Sequence, residues 1–143
     1  PVNISSVSGI FTTPFLVPYC VSKKAVEVIT DGLRMELLPY GIDVVSILPG
    51  PVKTSIWAKA DSQKNNFKGT DYEAIMERSA KMIVKAEEKA ITPESVAKLI
   101  KGIFENRKKR THYIITAKPW PMRIARLLPD RWLDYVIKKQ LKF

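Results

Sequence analysis

Cysteine and histidine each occur once in this chain of 143 residues, as Cys20 and His112. A single cysteine excludes an internal disulfide framework and suits a reducing compartment. A lone histidine, with no Cys/His cluster, argues against a transition-metal site. No apolar run approaches the roughly 18 residues that a membrane-spanning helix needs, and no secretory signal peptide is visible. We therefore expect one cytoplasmic globular domain, or part of one.

Glycine is also scarce, and its positions matter. The six glycines never form the G-x-G-x-x-G pattern that cradles a dinucleotide pyrophosphate, and a Walker A motif is missing too. The chain by itself therefore has no recognisable phosphate-binding turn.

Positive charge is confined to one end of the chain. The net charge is +10, and residues 98–143 carry all of this excess, whereas residues 1–97 are balanced. Because the body is neutral, a general polyanion-binding or nucleic-acid-binding role is not expected. The basic amphipathic tail, residues 118–143, has three open interpretations: peripheral contact with an anionic membrane, packing on the domain, or sealing of an interface in a homo-oligomer.

The first 50 residues have a β–α–β pattern. Val2 to Ser5 is a short strand, and a helix beginning at Pro18 ends before Gly41. Ile42 to Leu48 is almost continuously apolar, as a strand buried on both faces is. This unit builds a parallel sheet. The helix has an apolar face at Val21, Ala25, Val28, Ile29, Leu33 and Leu37.

The remainder alternates loops and helices. The segment 51–70 is polar and irregular, and residues 59–70 within it are predicted to be a mobile loop. Residues 51–90 together form a predicted substrate lid. Thr70 to Glu73 has the form of a capping box for a helix that runs to about Lys89. Thr92-Pro93 caps a further helix, and Tyr113 to Ala117 is a short strand. The predicted apolar surface of the lid comprises Val52, Ile56, Trp57, Ile75, Met76, Met82 and Ile83, and the inward face of the further helix comprises Val96, Leu99, Ile100, Ile103 and Phe104.

The segment PYCVSK places Tyr19 four residues ahead of Lys23. On a helix these side chains share a face and lie about 6 Å apart along the axis. A nearby cation favours the phenolate form of a tyrosine, which suits it for proton transfer. The spacing alone is weak evidence, since about 0.6 matches to Y-x-x-x-K are expected by chance and a second match runs from Tyr135 to Lys139.

The surroundings separate the two matches. Ser6 follows the first strand, at the carboxyl edge where ligands bind in open α/β sheets. The helix of Tyr19 begins beyond the next loop, and Pro49-Gly50 ends the next strand at the same edge. Tyr135 has no strand end before it and lies in the basic tail, so we interpret that match as chance.

The segments NISSVSG, YCVSK and ILPGPVKT together resemble the short-chain dehydrogenase/reductase family over residues 1 to about 117. The resemblance implies the carboxyl-terminal half of a Rossmann-like parallel sheet, with helices on both faces. It implies that Ser6 orients the substrate oxygen, that Tyr19 is the acid–base, and that Lys23 makes the phenol more acidic and holds the nicotinamide ribose. By the same resemblance Pro49 and Gly50 line the nicotinamide, and Val52 and Thr54 bind its carboxamide.

The family's glycine-rich turn, the residue that selects NAD or NADP and an upstream asparagine have no counterpart here, so we expect a longer parent chain. The predicted function is an NAD(P)-dependent oxidoreductase that interconverts an alcohol and a carbonyl compound, which we expect to be hydrophobic, by a Ser/Tyr/Lys proton relay and hydride transfer. The alternative is a non-catalytic homologue or fragment that acts as a membrane or partner adaptor through its tail. Residue alternatives also stay open: Ser5 or Ser8 as turn hydroxyls in place of Ser6, and Thr54 as a helix cap. Cys20 is expected to pack in the interior, and His112 to lie on the surface.

Overall fold

The computed structural model describes residues 1–55, 67–119 and 128–141. In these ranges the strands are β1 (Val2–Ile4), β2 (Val45–Pro49) and β3 (His112–Ile115). The helices are α1 (Val17–Glu36), α2 (Glu73–Glu88), α3 (Pro93–Glu105) and α4 (Asp130–Leu141). Short 3-10 turns occupy Val7–Gly9 and Leu38–Tyr40.

The three strands form a parallel sheet in the order β1-β2-β3. Val2 pairs with Val45 across the first junction, and Ser46 pairs with His112 across the second. Every residue of the central strand β2 is buried, as the continuous apolar run predicts for a strand covered on both faces. The prediction of an α/β fold with a parallel sheet is confirmed.

Helix α1 begins with Pro18 in its first turn, where a missing N–H costs nothing. It runs for 20 residues and ends before the Leu38–Tyr40 turn. Gly41 then takes a φ of +65°, in the left-handed region that favours glycine. The chain can therefore reverse and enter β2, although the strand begins at Val45 and not at Ile42 as predicted.

The apolar core lies between β2 and α3. Val45, Ile47 and Ile103 are at most 2% exposed and contact one another. Because side chains alternate along a strand, Ser46 and Leu48 point to the opposite face, and Ser46 meets α1 there. Helices thus cover both faces of the sheet. The prediction that α3 buries its apolar residues fails at Phe104, which is 67% exposed.

Helix α1 contradicts the prediction made from its apolar pattern. Val21, Val28 and Ile29 are all more than half exposed, whereas Cys20, Glu27 and Thr30 are buried. The side chains that meet the sheet are therefore largely polar, because they bond to polar groups of the strands. Hydrophobic periodicity identified the helix correctly, but the apolar face that it marks is not the face that meets the sheet.

The lid and tail follow the predicted elements in part. Helix α2 has the predicted extent, but Thr70 and Glu73 do not bond as a capping box: Glu73 accepts from the N–H of Gly69, and Thr70 accepts from that of Tyr72. Thr92 does cap α3 by accepting from the N–H of Ser95. Ile56, Trp57 and residues 120–127 of the tail lie outside the described residues.

No helix in the described ranges is long and apolar enough to cross a membrane. The same ranges contain no cluster of three or more His, Cys, Asp or Glu that could hold a metal ion.

Candidate active site

Ser6 lies just beyond the end of β1 and is buried. Its hydroxyl caps the following 3-10 turn by accepting from the N–H of Ser8, at 3.1 Å. It also lies 3.5 Å from the carbonyl oxygen of Pro49, at the end of β2. The structure therefore joins Ser6 to the Pro49-Gly50 turn at the carboxyl edge of the sheet, where parallel strands present ligand sites.

Tyr19 and Lys23 lie one turn apart near the start of α1. The Lys23 ammonium, Nζ, is 5.8 Å from the centre of the Tyr19 ring, within the range of a cation–π contact. Tyr19 is 42% exposed, so its phenol is accessible from outside. The predicted pair is therefore adjacent and open to a ligand.

A serine hydroxyl fixes the backbone at Lys23. Ser5 is buried and donates to the carbonyl oxygen of Lys23, at 3.1 Å. Ser5 also donates its own N–H to Ile47 of β2, at 2.8 Å. Ser5 thus joins the strand end to the helix that carries Tyr19 and Lys23. In this arrangement Ser5 has a structural contact of its own, distinct from the contacts of Ser6.

The Lys23 ammonium has no carboxylate partner among the described residues, because none lies within ion-pair distance of its Nζ atom. A half-buried ammonium of this kind has N–H donors for a hydrogen-bond acceptor.

The Pro49-Gly50 turn is closely packed. Pro49 is buried, and the N–H of Gly50 donates to the carbonyl of Ile115 at 2.8 Å. A Cβ atom on Gly50 would lie 2.8 Å from Thr116, so only glycine fits here. The chain continues to Val52, which bridges to Ile91, and then to Thr54, which is exposed. Val52 and Thr54 thus follow the turn, but no described contact joins them to Tyr19 or Lys23.

Three aromatic rings join the loop before α1 to the segment before α2. Phe15 contacts Phe67 and Tyr72 edge to face, with ring centres 6.4 Å and 5.9 Å apart. Phe15 has a φ of +65°, a strained value for a bulky residue. Phe67 and Tyr72 belong to the predicted lid, and Phe15 lies four residues before Tyr19. These ring contacts therefore join the lid to the chain next to the candidate site.

A surface cavity of about 190 Å³ lies behind the same loop. Cys20 lines it, but Ser6, Tyr19 and Lys23 do not. Cys20 is buried as predicted, and its sulfur accepts from the N–H of Thr13 at 3.4 Å. This cavity is therefore separate from the candidate site, which is open to the surface.

A polar cluster between α1 and the sheet was missed from the sequence. Glu27 is only 6% exposed, and its carboxylate accepts from the hydroxyl of Ser46. His112 places its Nε2 atom 3.4 Å from the second Glu27 oxygen. The prediction that His112 is a surface residue holds in part: 28% of its side chain is exposed, but β3 brings its ring against α1. One signal for this cluster was available in the sequence. Glu27 lies four residues after Lys23, so the helix places it on the same face as the candidate catalytic lysine.

Comparison with known proteins first defines the class. A solved short-chain dehydrogenase from Streptomyces avermitilis matches 99% of this chain and 50% of its own, with a TM-score of 0.67 and 21% identity. A short-chain dehydrogenase from Mycobacterium paratuberculosis, solved bound to NAD, matches 81% of this chain and 43% of its own, with a TM-score of 0.56 and 20% identity. These likenesses show a Rossmann-like α/β fold.

Sequence comparison then defines the family. The short chain dehydrogenase profile matches residues 2–65. The chain is 42% identical over 142 residues to the NADPH-dependent 3-dehydrocapnine reductase of Ornithobacterium rhinotracheale, covering 99% of this chain and 50% of that protein. It is 27% identical over 139 residues to the 3-ketodihydrosphingosine reductase of Bacteroides thetaiotaomicron, covering 96% of this chain and 52% of that protein.

The chain therefore carries a domain of the short-chain dehydrogenase/reductase family, as the sequence resemblance predicted. It spans about half the length of the curated relatives that it matches.

Proposed function

We propose that the protein carrying this chain is an NAD(P)-dependent oxidoreductase that interconverts an alcohol and a carbonyl compound. The observation that supports this most directly is the Lys23 ammonium over the Tyr19 ring, on a helix that starts beside the carboxyl edge of a parallel sheet. The family relationship and the NADPH-dependent relative support the choice of cofactor. When bound, the nicotinamide supplies or accepts the hydride.

In this proposal Tyr19 holds and moves the proton at its phenolic oxygen. Reduction of a ketone places negative charge on the carbonyl oxygen, which the phenol O–H neutralises by proton donation. Oxidation of an alcohol runs the transfer in reverse, with the phenolate as base. The Lys23 ammonium lies 5.8 Å from the centre of the same ring, beside the group that exchanges the proton.

Ser6 is proposed to orient the substrate oxygen. The Ser6 hydroxyl oxygen lies 3.5 Å from the carbonyl oxygen of Pro49, which is the outer limit of a hydrogen bond. A substrate oxygen at ordinary distance would offer a shorter bond, so the hydroxyl can turn to it at little cost. Because Ser6 is buried and its oxygen already accepts from the N–H of Ser8, the hydroxyl position is fixed before substrate arrives.

The cofactor is proposed to contact residues along the same edge. Tyr19 and Lys23 would meet the nicotinamide ribose, and Pro49 with Gly50 would line the nicotinamide ring. Val52 and Thr54 are proposed to bind the carboxamide. The exposure of Thr54 leaves its hydroxyl accessible for such a contact.

The substrate class is proposed to be a hydrophobic ketone, specifically a 3-keto lipid-like base. Two relatives support this: one is named for reducing 3-dehydrocapnine and the other for reducing 3-ketodihydrosphingosine. The exposed aromatic side chains of Phe15 and Tyr72 support it as well, because they offer apolar surface. Phe15 lies four residues before Tyr19 in the sequence, and Tyr72 contacts Phe15.

The test uses the protein expressed at its full natural length. Purified protein is assayed for oxidation of NADPH and of NADH with 3-ketodihydrosphingosine and with a panel of smaller ketones. We expect turnover with the lipid ketone. Tyr19→Phe should lower kcat at least a hundredfold, the size of a typical general acid–base contribution.

The matched control is Tyr135→Phe, which alters the tyrosine of the second Y-x-x-x-K segment in α4. It should leave kcat within twofold of the wild type, because the structure places Tyr135 on a helix remote in sequence from the sheet edge, with 64% of its surface exposed. Full activity of Tyr19→Phe would reject Tyr19 as the proton donor. No turnover with any ketone or alcohol and either cofactor would reject the enzyme assignment.

A further inference from the structure

A carboxylate is buried between α1 and the sheet, outside the proposed proton path. Glu27 lies four residues after Lys23 on α1 and is 6% exposed. Its two oxygens reach two different strands: one accepts from Ser46 of β2, and the other lies 3.4 Å from His112 Nε2 of β3. A buried carboxylate is costly unless it is hydrogen-bonded and paired, and here both oxygens have partners.

The partners of this carboxylate are themselves held in place. Ser46 is fully buried in the central strand and is directly paired in register with His112. The other nitrogen of the His112 ring lies 3.0 Å from the hydroxyl of Thr111. Asp31, one turn beyond Glu27, lies 3.9 Å from the same Nε2 atom and also bonds Arg34. Glu27 therefore contacts two side chains that belong to paired residues of neighbouring strands.

The fixed carboxylate is coupled to Lys23 by close packing. A Cβ atom built on Gly9 would lie 3.0 Å from the Lys23 carbonyl oxygen and 3.1 Å from Glu27 Cγ, so this helix turn rests directly on the Gly9 backbone. Ser5 holds the same carbonyl by a hydrogen bond. The helix turn from Lys23 to Glu27 is therefore held at both ends. Ser5 bonds the carbonyl of Lys23, and the Glu27 carboxylate contacts the two strands.

We propose that Glu27 is a positioning residue that sets the rotation and height of α1 on the sheet and so places Tyr19 and Lys23 together relative to Ser6 and the Pro49-Gly50 turn. This inference rests on the proposed function of Lys23 and Tyr19. One carboxylate that reaches two strands resists rotation of the helix, because rotation that preserves one contact breaks the other. An apolar side chain at this position would pack but would not fix the angle.

The experiment is a double-mutant cycle in the full-length protein. Glu27→Gln is made in the wild type and in the Tyr19→Phe/Lys23→Ala protein, and kcat/KM is measured for all four proteins and for Lys23→Ala alone. A residue that acts by placing Tyr19 and Lys23 loses its effect once both side chains are removed. We expect Glu27→Gln to cost about tenfold in the wild type, since small misplacements of catalytic groups are expensive, and less than about twofold in Tyr19→Phe/Lys23→Ala.

The same cycle is measured in the dissociation constant of NADPH, by fluorescence titration, because this needs no turnover in the weakest variants. Glu27→Gln should weaken NADPH binding in the wild type and leave it unchanged in Tyr19→Phe/Lys23→Ala, where neither ribose contact of α1 remains. Thr30→Val is the matched control. Thr30 is also buried on α1 and also bonds the sheet, through Asn3, but it lies farther from Lys23, so any cost should be equal in both backgrounds.

If Glu27→Gln does not fold, Ser46→Ala takes its place in the cycle, since it removes the donor to the carboxylate and leaves the charge. An equal cost in both backgrounds, with active wild-type protein, overturns the positioning role and leaves the proposed function standing. A wild type without activity, or Lys23→Ala with unchanged kcat/KM and NADPH binding, overturns the proposed function instead.

Discussion

A methyl group added at Gly9 has no room in this structure. Its Cβ atom would lie 2.9 Å from Ser5 Oγ, 3.0 Å from the carbonyl oxygen of Lys23 and 3.1 Å from Glu27 Cγ. The backbone of Gly9 has an ordinary negative φ, since the glycines with positive φ in the described residues are Gly41 and Gly69. The substitution Gly9→Ala therefore tests packing alone, without backbone strain.

The cost follows from which neighbour can move. The Ser5 hydroxyl can rotate away, but it then loses its bond to Lys23, which is worth about 1 kcal/mol. The Lys23 carbonyl belongs to a helix and can retreat only if α1 shifts by a few tenths of an ångström. Overpacking of this kind costs about 1–3 kcal/mol. We expect Gly9→Ala to destabilise the protein by this amount and, because the shifted turn carries Lys23, to lower kcat/KM as well.

The assay is urea unfolding, followed by circular dichroism, with Gly32→Ala as the matched control. Gly32 lies within the same helix and an added Cβ there meets nothing within 4 Å. Alanine in a helix interior is favoured over glycine by about 0.5–1 kcal/mol, so the control should be stabilised while Gly9→Ala is destabilised. Ser5→Ala added to Gly9→Ala should recover part of the loss. Equal or greater stability of Gly9→Ala would show that α1 is not tightly seated on this loop.

Two further predictions concern residues outside the candidate site, Glu94 in α3 and Trp132 in α4. A hydrogen bond from its own backbone N–H, and then one from the Thr92 hydroxyl, lower the pKa of Glu94. Its stabilisation is therefore present near pH 7 and lost as pH falls through the lowered value. The melting temperature of Glu94→Gln should be below wild type near pH 7, and the difference should shrink as pH falls through the lowered pKa of Glu94; a difference that stays constant with pH would contradict this. In α4, Trp132 and Tyr135 are more than 60% exposed. Sedimentation with anionic vesicles should therefore weaken for Trp132→Asp, and a wild type that stays in solution would remove the membrane interpretation.

The sequence was most informative where local signals agreed. Pro18 near the start and Gly41 past the end bracket α1, and the apolar run up to Leu48 marks a buried strand. The β–α–β order then requires a parallel sheet, because a crossover helix returns the chain to the same direction. The spacing of Tyr19 and Lys23 on a helix is local as well, so their proximity could be predicted before any fold was known.

Prediction failed where a contact joins segments that are distant in the chain. Periodicity marked Val28 and Ile29 as part of the apolar face of the helix, but Glu27 and Thr30 are the side chains that meet the sheet. The reason is that Ser46 and Asn3 present polar groups to this face, and these lie 19 and 27 residues away in sequence. His112 is 85 positions from Glu27, and only the β2–β3 register brings it to α1.

By itself the sequence determined the order of the elements, the parallel direction of the strands and the residues of the candidate acid–base pair. Each of these depends on residues that lie close together in the chain. The tertiary structure alone decided which face of α1 meets the sheet and which polar groups hold it there. Those outcomes depend on satisfying a buried carboxylate and buried hydroxyls from neighbouring strands, and hydrogen bonds between distant segments leave no periodic trace in a sequence.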